Sequence, residues 1–300
     1  MTELPSDFQS YWSKTLEELA ALPLAVEEEV LRSRSTDFAT MYGVHLTGIG
    51  PYRLFAYLSI PRGKGPFPAI YYLPRYGSVV ETIPQGTSNA KRRRYVMLSI
   101  GVRGQRNADQ PFAAEFPGLL TEGIDDPNSY IWRGIVSDCY RGMEHLLTRP
   151  EVDTNRVAAV GNDLALITAG LHSGVSHVVC TPELFYSTYE RAPHTNTYPL
   201  EEINDYLHLH TSSRTQVHTT LSYFDLRLFA PSVEATTLLM AQGQGEFLDA
   251  PTLEPLAQSL PGRVDVHQSE HSSFKDGVFV ERWLTREFGF RRAILPARWR

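Results

Sequence analysis

Arg156-Val157-Ala158-Ala159-Val160-Gly161-Asn162-Asp163-Leu164-Ala165 is the stretch on which the fold turns. Four apolar residues run into Gly161, and a helix-compatible segment follows over 163–171. Small residues stand two before and two after Asp163. That is the spacing of a nucleophile elbow, a strand-to-helix turn so sharp that only Gly or Ala clears the neighbouring backbone. Such a turn lifts its central side chain above the carboxyl edge of a sheet. Here the side chain is the carboxylate of Asp163, where a hydroxyl is usual.

On both sides of this stretch lie short, nearly continuous apolar runs: AIYYL (69–73), YVMLSIGV (95–102), RVAAVG (156–161), HVVCTP (177–182), TTLLMAQG (236–243) and RVDVHQ (263–268). Runs of this kind are strands buried on both faces of a parallel sheet. Residues 44–60 alternate instead and predict an antiparallel pair. Helices are predicted at 7–20, 132–148, 163–171 and 275–287 from apolar residues at helical spacing. Strand-helix alternation implies right-handed crossovers and a doubly wound, mostly parallel sheet, with functional groups on loops at the carboxyl ends of its strands. The chain reads as one α/β domain over 1–300, with a helical extension at 1–40. Residues 183–231, polar, aromatic and rich in histidine, read as a cap inserted over the sheet.

The 300 residues are 42% hydrophobic with a net charge of −6, which argues against nucleic acid or an anionic membrane as the main partner. Lys91-Arg92-Arg93-Arg94 is the basic cluster and reads as a solvated loop or helix end. Cys139 falls in a helix pattern and Cys180 in a strand, as buried thiols with neither disulfide nor metal spacing. The N-terminus lacks a basic start followed by an apolar stretch, and no run approaches the ~18 apolar residues of a membrane helix. A soluble, cytoplasmic protein acting on a small molecule, without a cofactor, is expected. His208, His210 and His218 lack a cysteine or carboxylate at ligand spacing, so no metal is expected.

Several stretches together resemble the acetyl xylan esterase / cephalosporin C deacetylase family of α/β-hydrolases. DFQSYWSKTLEELAALPL is similar to that family's opening helix, and Arg103-Gly104-Gln105 in LSIGVRGQRNAD to its R-G-Q-G signature. The stretch from GIDDPNSYIWRG to NRVAAVG resembles its long helix and elbow strand, and TLSYFDLRLFAP (220–231) the segment before its acid-bearing strand. The resemblance implies an α/β-hydrolase fold, a Ser-acid-His site and a homo-oligomer. Departures gather at the site. Asp163 stands at the nucleophile position and Leu164 at the Gln that follows. Pro74-Arg75-Tyr76-Gly77 stands for the oxyanion loop. Glu246 in Gly243-Gln244-Gly245-Glu246 takes the acid position, with Asp249 as the alternate, and His271 is the histidine.

Asp163, Glu246 and His271 occur in the chain order of an α/β-hydrolase triad. An elbow carboxylate can attack saturated carbon, giving an alkyl-enzyme ester that water activated by His271, with Glu246 holding the imidazole, then cleaves. The backbone N–H groups of Leu164 and Tyr76 could hold the oxyanion, and Arg75 could clamp an anionic substrate group. Haloalkane dehalogenases and epoxide hydrolases share these roles. Two alternatives stay open: a non-catalytic relative that binds ligands, and Asp163 acting as a general base in weak ester hydrolysis or lyase chemistry. Arg103 and Gln105 are expected to tie loops together. Trp132, Phe185, Tyr186 and Tyr223 are candidates to line a pocket beside Tyr76.

Overall fold

The computed structural model describes residues 5–80, 83, 87–105, 108, 110 and 112–295. In chain order the elements are α1 (Phe8–Ala20), β1 (Glu27–Val30), β2 (Ala39–Gly48), β3 (Tyr52–Pro61), β4 (Phe67–Tyr72), α2 (Thr87–Arg92), β5 (Val96–Gly101), α3 (Ile131–Leu147), β6 (Val152–Gly161), α4 (Asp163–Leu171) and β7 (His177–Cys180). The cap helices α5 (Thr188–Arg191), α6 (Glu201–Leu209), α7 (Arg214–Ser222) and α8 (Leu226–Phe229) follow. Then come β8 (Thr236–Ala241), α9 (Ala250–Ser259), β9 (Val264–Gln268) and α10 (Ser273–Glu287).

Among the described residues the strands form one sheet in the order β1-β2-β3-β5-β4-β6-β7-β8-β9. The first four are antiparallel neighbours, and β5 through β9 run parallel. This is the α/β-hydrolase fold, a mostly parallel sheet with helices on both sides. The continuous apolar runs are explained by two cores, one on each face. Tyr71, Leu98, Ala159, Val178 and Leu239 face α3 and α4, whereas Ile70, Met97, Ala158, Val179 and Leu238 face Trp283, Leu284 and Phe288 at the C-terminal end. Adjacent residues of one strand enter opposite cores, so nearly every position is apolar, with Ser99 and Thr237 as buried polar exceptions.

Of the segment 1–40, expected to be helical, the described residues form an α-helix over Phe8–Ala20 and a short 3-10 turn over Arg32–Arg34. Glu27–Val30 adds an edge strand that pairs antiparallel with Tyr42–His45. All four of its residues are exposed, and its three glutamates discourage pairing with a further chain. Helix α1 presses Trp12 into the cap, where the indole N–H donates to the Tyr223 carbonyl at 3.1 Å and the ring meets Phe224 and Phe229. Cys139 and Cys180 are buried free thiols. No helix among the described residues is long and apolar enough to cross a membrane.

Candidate active site

A cleft of about 750 Å³ opens at the carboxyl ends of β4, β6, β7, β8 and β9. Arg75 and Tyr76 line it after β4, Asn162 after β6, Glu183 after β7, Gln242 and Glu246 after β8, and His271 after β9. A second hollow of about 670 Å³ adjoins it under the cap and shares Glu183, Gln242 and Glu246. Arg191, Thr195, Tyr198 and Phe247 complete that part.

Each lining side chain is held by a local device. A tight turn from the Gly243 carbonyl to the Glu246 N–H, 3.0 Å, presents Glu246. The backbone of Gln242 pairs with that of Leu248, and the Gln242 amide oxygen accepts the Leu248 N–H at 3.1 Å, closing the loop. His271 has a positive φ of 56°, a conformation bulky residues avoid. Its N–H donates to Ser269 Oγ, whose hydroxyl donates to Asp276 at 2.7 Å, and Asp276 also meets His267. His271 Nδ1 then lies 3.2 Å from Glu246 Oε1. The imidazole crosses Gly243 so closely that a Cβ there would stand 1.9 Å from its Cε1. Glu246 and His271 therefore form an acid–imidazole pair at the mouth of the cleft.

Asp163 is placed differently. The sequence predicts it raised on the elbow beside His271; it lies instead 2% exposed and outside the residues that line the cleft. Its carboxylate accepts the backbone N–H groups of Leu184 and Phe185 at 2.9 Å and of Glu183 at 3.2 Å. Three successive N–H groups form a concave anion cradle. Asn162 caps the helix with φ −91° and ψ −144°, outside both the helical and the extended regions, and Asp163 opens α4 as a first-turn residue. Non-glycine residues with positive φ among the described residues are Ala25, Ser187 and His271. The physical reason is that an acceptor-only carboxylate satisfies three buried donors, which a serine hydroxyl reaching for a substrate would leave bare. Burial pushes the Asp163 carboxyl above the usual range, and the three donors oppose that rise.

Asn162 takes the forward place. Its amide donates to the Glu183 carboxyl, and both side chains line the cleft. Burial, then the neighbouring Asp163, raise the Glu183 carboxyl, while Asn162, Arg75 and Arg191 pull it down. Neither Asn162 nor Glu183 stood out as a site residue from sequence. The available signal was that Glu183 follows an apolar strand run by one residue, at a strand's carboxyl end.

The remaining candidates divide. Asp249, the alternate acid, does not serve His271: it caps α9, accepting from the Thr252 N–H at 3.2 Å and hydroxyl at 2.9 Å. An Asp directly before Ala250-Pro251 is placed to cap a helix. Leu164 is buried in the core in the first turn of α4. Arg75 is exposed at the cleft. The Tyr76 hydroxyl reaches the Glu202 carboxylate of the cap and accepts the Leu120 N–H at 2.8 Å, and its ring stacks on Trp132. Burial raises Glu202, and burial together with Glu202 raises Tyr76. Phe185 and Tyr223 pack in the core rather than line the cleft. Gln105 donates to Ser78 Oγ at 2.9 Å and braces the loop carrying Arg75 and Tyr76. Arg103 grips buried Asp138 through Nε at 2.9 Å and Nη2 at 2.7 Å, and Gly134 leaves room for the guanidinium.

A parallel-core sheet of this order, a cap over its carboxyl edge and an acid–imidazole pair beneath it define an α/β-hydrolase. A family model described as acetyl xylan esterase (AXE1) matches residues 1–248, and the chain belongs to that family of hydrolases. Acetyl esterase Axe7A of Xylanibacter ruminicola is 26% identical over 192 residues, which is 59% of this chain and 43% of that protein. The chain thus spans less than half the length of this curated relative. Among solved structures, an acetyl xylan esterase from Paenibacillus sp. R4 superposes with a TM-score of 0.78 at 24% identity, covering 95% of this chain and 96% of that one. Acetyl xylan esterase 1 from Thermoanaerobacterium sp. JW/SL YS485 gives 0.81 at 22% identity, over 95% of each chain.

Proposed function

We propose that the protein hydrolyses small acyl esters, with water activated directly by His271 and no covalent intermediate on the elbow. The observation that carries this reading is the pair His271 Nδ1–Glu246 Oε1 at 3.2 Å, set over a cleft into which Asp163 does not project. Glu246 holds Nδ1, which leaves Nε2 to take a proton from water as the oxygen adds to the ester carbonyl. The backbone N–H groups of Tyr76 and Leu164 remain the candidates for the developing oxyanion, and Arg75 for an anionic substituent. The relatives are named for acetyl esters and acetyl xylan, so acetate is the acyl group we assign first.

The route through an alkyl-enzyme ester, as in dehalogenases and epoxide hydrolases, needs the Asp163 carboxylate to leave three backbone donors and turn outward. Each donor abandoned in a buried setting costs about 1–3 kcal/mol. That cost is why we rank direct attack by water above it. A second reading, a relative that binds ligands without turning them over, is favoured by the 63% exposure of the His271 side chain.

Steady-state rates on p-nitrophenyl acetate and ethyl acetate test the proposal. His271→Gln is expected to lose about 10²- to 10⁴-fold, the usual worth of a general base, and Glu246→Gln a smaller factor. Equal rates for wild type and His271→Gln would reject the hydrolase reading and favour the binding one.

A further inference from the structure

Glu183 has a position that neither the elbow nor the acid–imidazole pair explains. It stands three residues past the end of β7, after Thr181 and Pro182, and lines both parts of the cleft. Its backbone N–H and the next two are clamped on Asp163, so the residue at the elbow fixes the loop that carries it. Its carboxyl is turned back to the Asn162 amide, the side chain standing forward of the nucleophile position. The elbow is thus a platform for a carboxyl group that comes from the next strand.

We propose that Glu183 is the catalytic acid of this site, the group that protonates the departing alcohol; the proposal rests on the hydrolase reading above. His271 takes a proton from water, and the hydroxide oxygen bonds to the acyl carbon. The tetrahedral adduct then breaks its bond to the alkoxide oxygen and releases the carboxylic acid. The alkoxide takes the proton of Glu183 and leaves as the alcohol. The acid product and the imidazolium give their protons to solvent, and Glu183 regains one. Water and ester become carboxylate, alcohol and one proton.

The surroundings suit that role. Both Asp163 oxygens accept backbone N–H groups, which favours the ionised form and opposes the effect of burial. An ionised carboxylate beside half-buried Glu183 favours the uncharged carboxyl, and burial acts the same way. Arg75, Arg191 and the Asn162 amide act against it, and the net displacement is upward. Backbone donors draw the Asp163 carboxyl toward the ionised form, and Asp163 in turn biases Glu183 to hold a proton. Pairs whose environments push them apart are how acid and base duties are divided in active sites.

The test uses leaving-group dependence. An alkoxide needs a proton as it departs, whereas p-nitrophenolate departs readily without one. Wild type, Glu183→Gln and His271→Gln are compared on ethyl acetate and p-nitrophenyl acetate. Glu183→Gln is expected to lose about 100-fold on the ethyl ester and far less on the aryl ester, whereas His271→Gln loses on both. In parallel, infrared spectra at neutral pH should show a protonated carboxyl band that disappears in Glu183→Gln and weakens in Asp163→Asn, which removes the charge that favours the uncharged Glu183 carboxyl. Equal losses on the two esters, no loss on either, or a carboxyl band untouched by Glu183→Gln would each overturn the proposal while leaving the His271 result intact. Equal rates for wild type and His271→Gln would instead reject the hydrolase reading, and the acid with it.

Discussion

The carboxylate of Asp163 accepts the backbone N–H of Leu184 at 2.9 Å, and this contact makes Asp163 a structural clamp at the start of α4. With Glu183 and Phe185 as further donors, the clamp joins the start of α4 to the loop after β7. Removing it strands three N–H groups in a buried setting. Asp163→Ala should therefore destabilise the chain by about 3 kcal/mol or more, a value set by losing charge-assisted hydrogen bonds without replacement. Urea or guanidinium unfolding measures this, and a change below about 1 kcal/mol would remove Asp163 from the clamp role.

Gly243→Ala separates the site from the scaffold. A Cβ at this position would overlap the His271 ring, while the ring itself is largely exposed and free to swing away. The expected result is loss of turnover comparable to His271→Gln with an unfolding midpoint close to wild type. Retained turnover would show that the Glu246–His271 pair is not the working arrangement.

Glu183 gives the pH dependence. Its folded-state titration lies above the ordinary glutamate value of 4.5, so folding favours the protonated form. The associated stability is complete below that ordinary value and is lost as pH rises through the higher folded-state titration. Glu183→Gln removes a titration without removing the side chain's shape. The variant should be more stable than wild type at pH 7, and the gap should close near pH 4. Thermal unfolding at both pH values checks this; a variant less stable at pH 7 would contradict the sign.

Much of this was readable beforehand, and the limits have physical causes. Strands β4 to β8 announced themselves because both faces are buried, which forces unbroken apolar runs such as AIYYL. Glu246 and His271 were legible because chain order and strand-end position bring them together. Strand β1 was not: Glu27-Glu28-Glu29-Val30 is exposed at all four positions and carries no burial pattern. The fate of Asp163 was hidden for another reason. Spacing places the residue on the elbow, but its partners lie about twenty positions later, at 183–185, and are backbone donors with no signature in side-chain type. Asp249 misled by proximity to the acid loop, although Ala250-Pro251 after it marks a helix start.

The cap is tied to the loop after β4 by the Tyr76 hydroxyl, which bridges Glu202 of α6 and the Leu120 N–H. Tyr76→Phe leaves buried Glu202 with fewer partners, at a cost of about 1–3 kcal/mol. Because the lost contact spans cap and sheet, amide exchange should speed up in 197–209 more than in β4 or β6. Uniform acceleration across the chain would mean the contact supports global stability only.

The central claim is that water attacks the substrate and Asp163 does not. A single turnover of ethyl acetate in ¹⁸O-water, followed by mass spectrometry of the acetate and of the peptide containing Asp163, tests it most directly. Direct attack by water puts the heavy oxygen in acetate and leaves the Asp163 peptide free of both label and acyl or alkyl mass. Heavy oxygen in the Asp163 carboxylate, or an adduct on that peptide, would contradict the account and restore the elbow aspartate as the nucleophile.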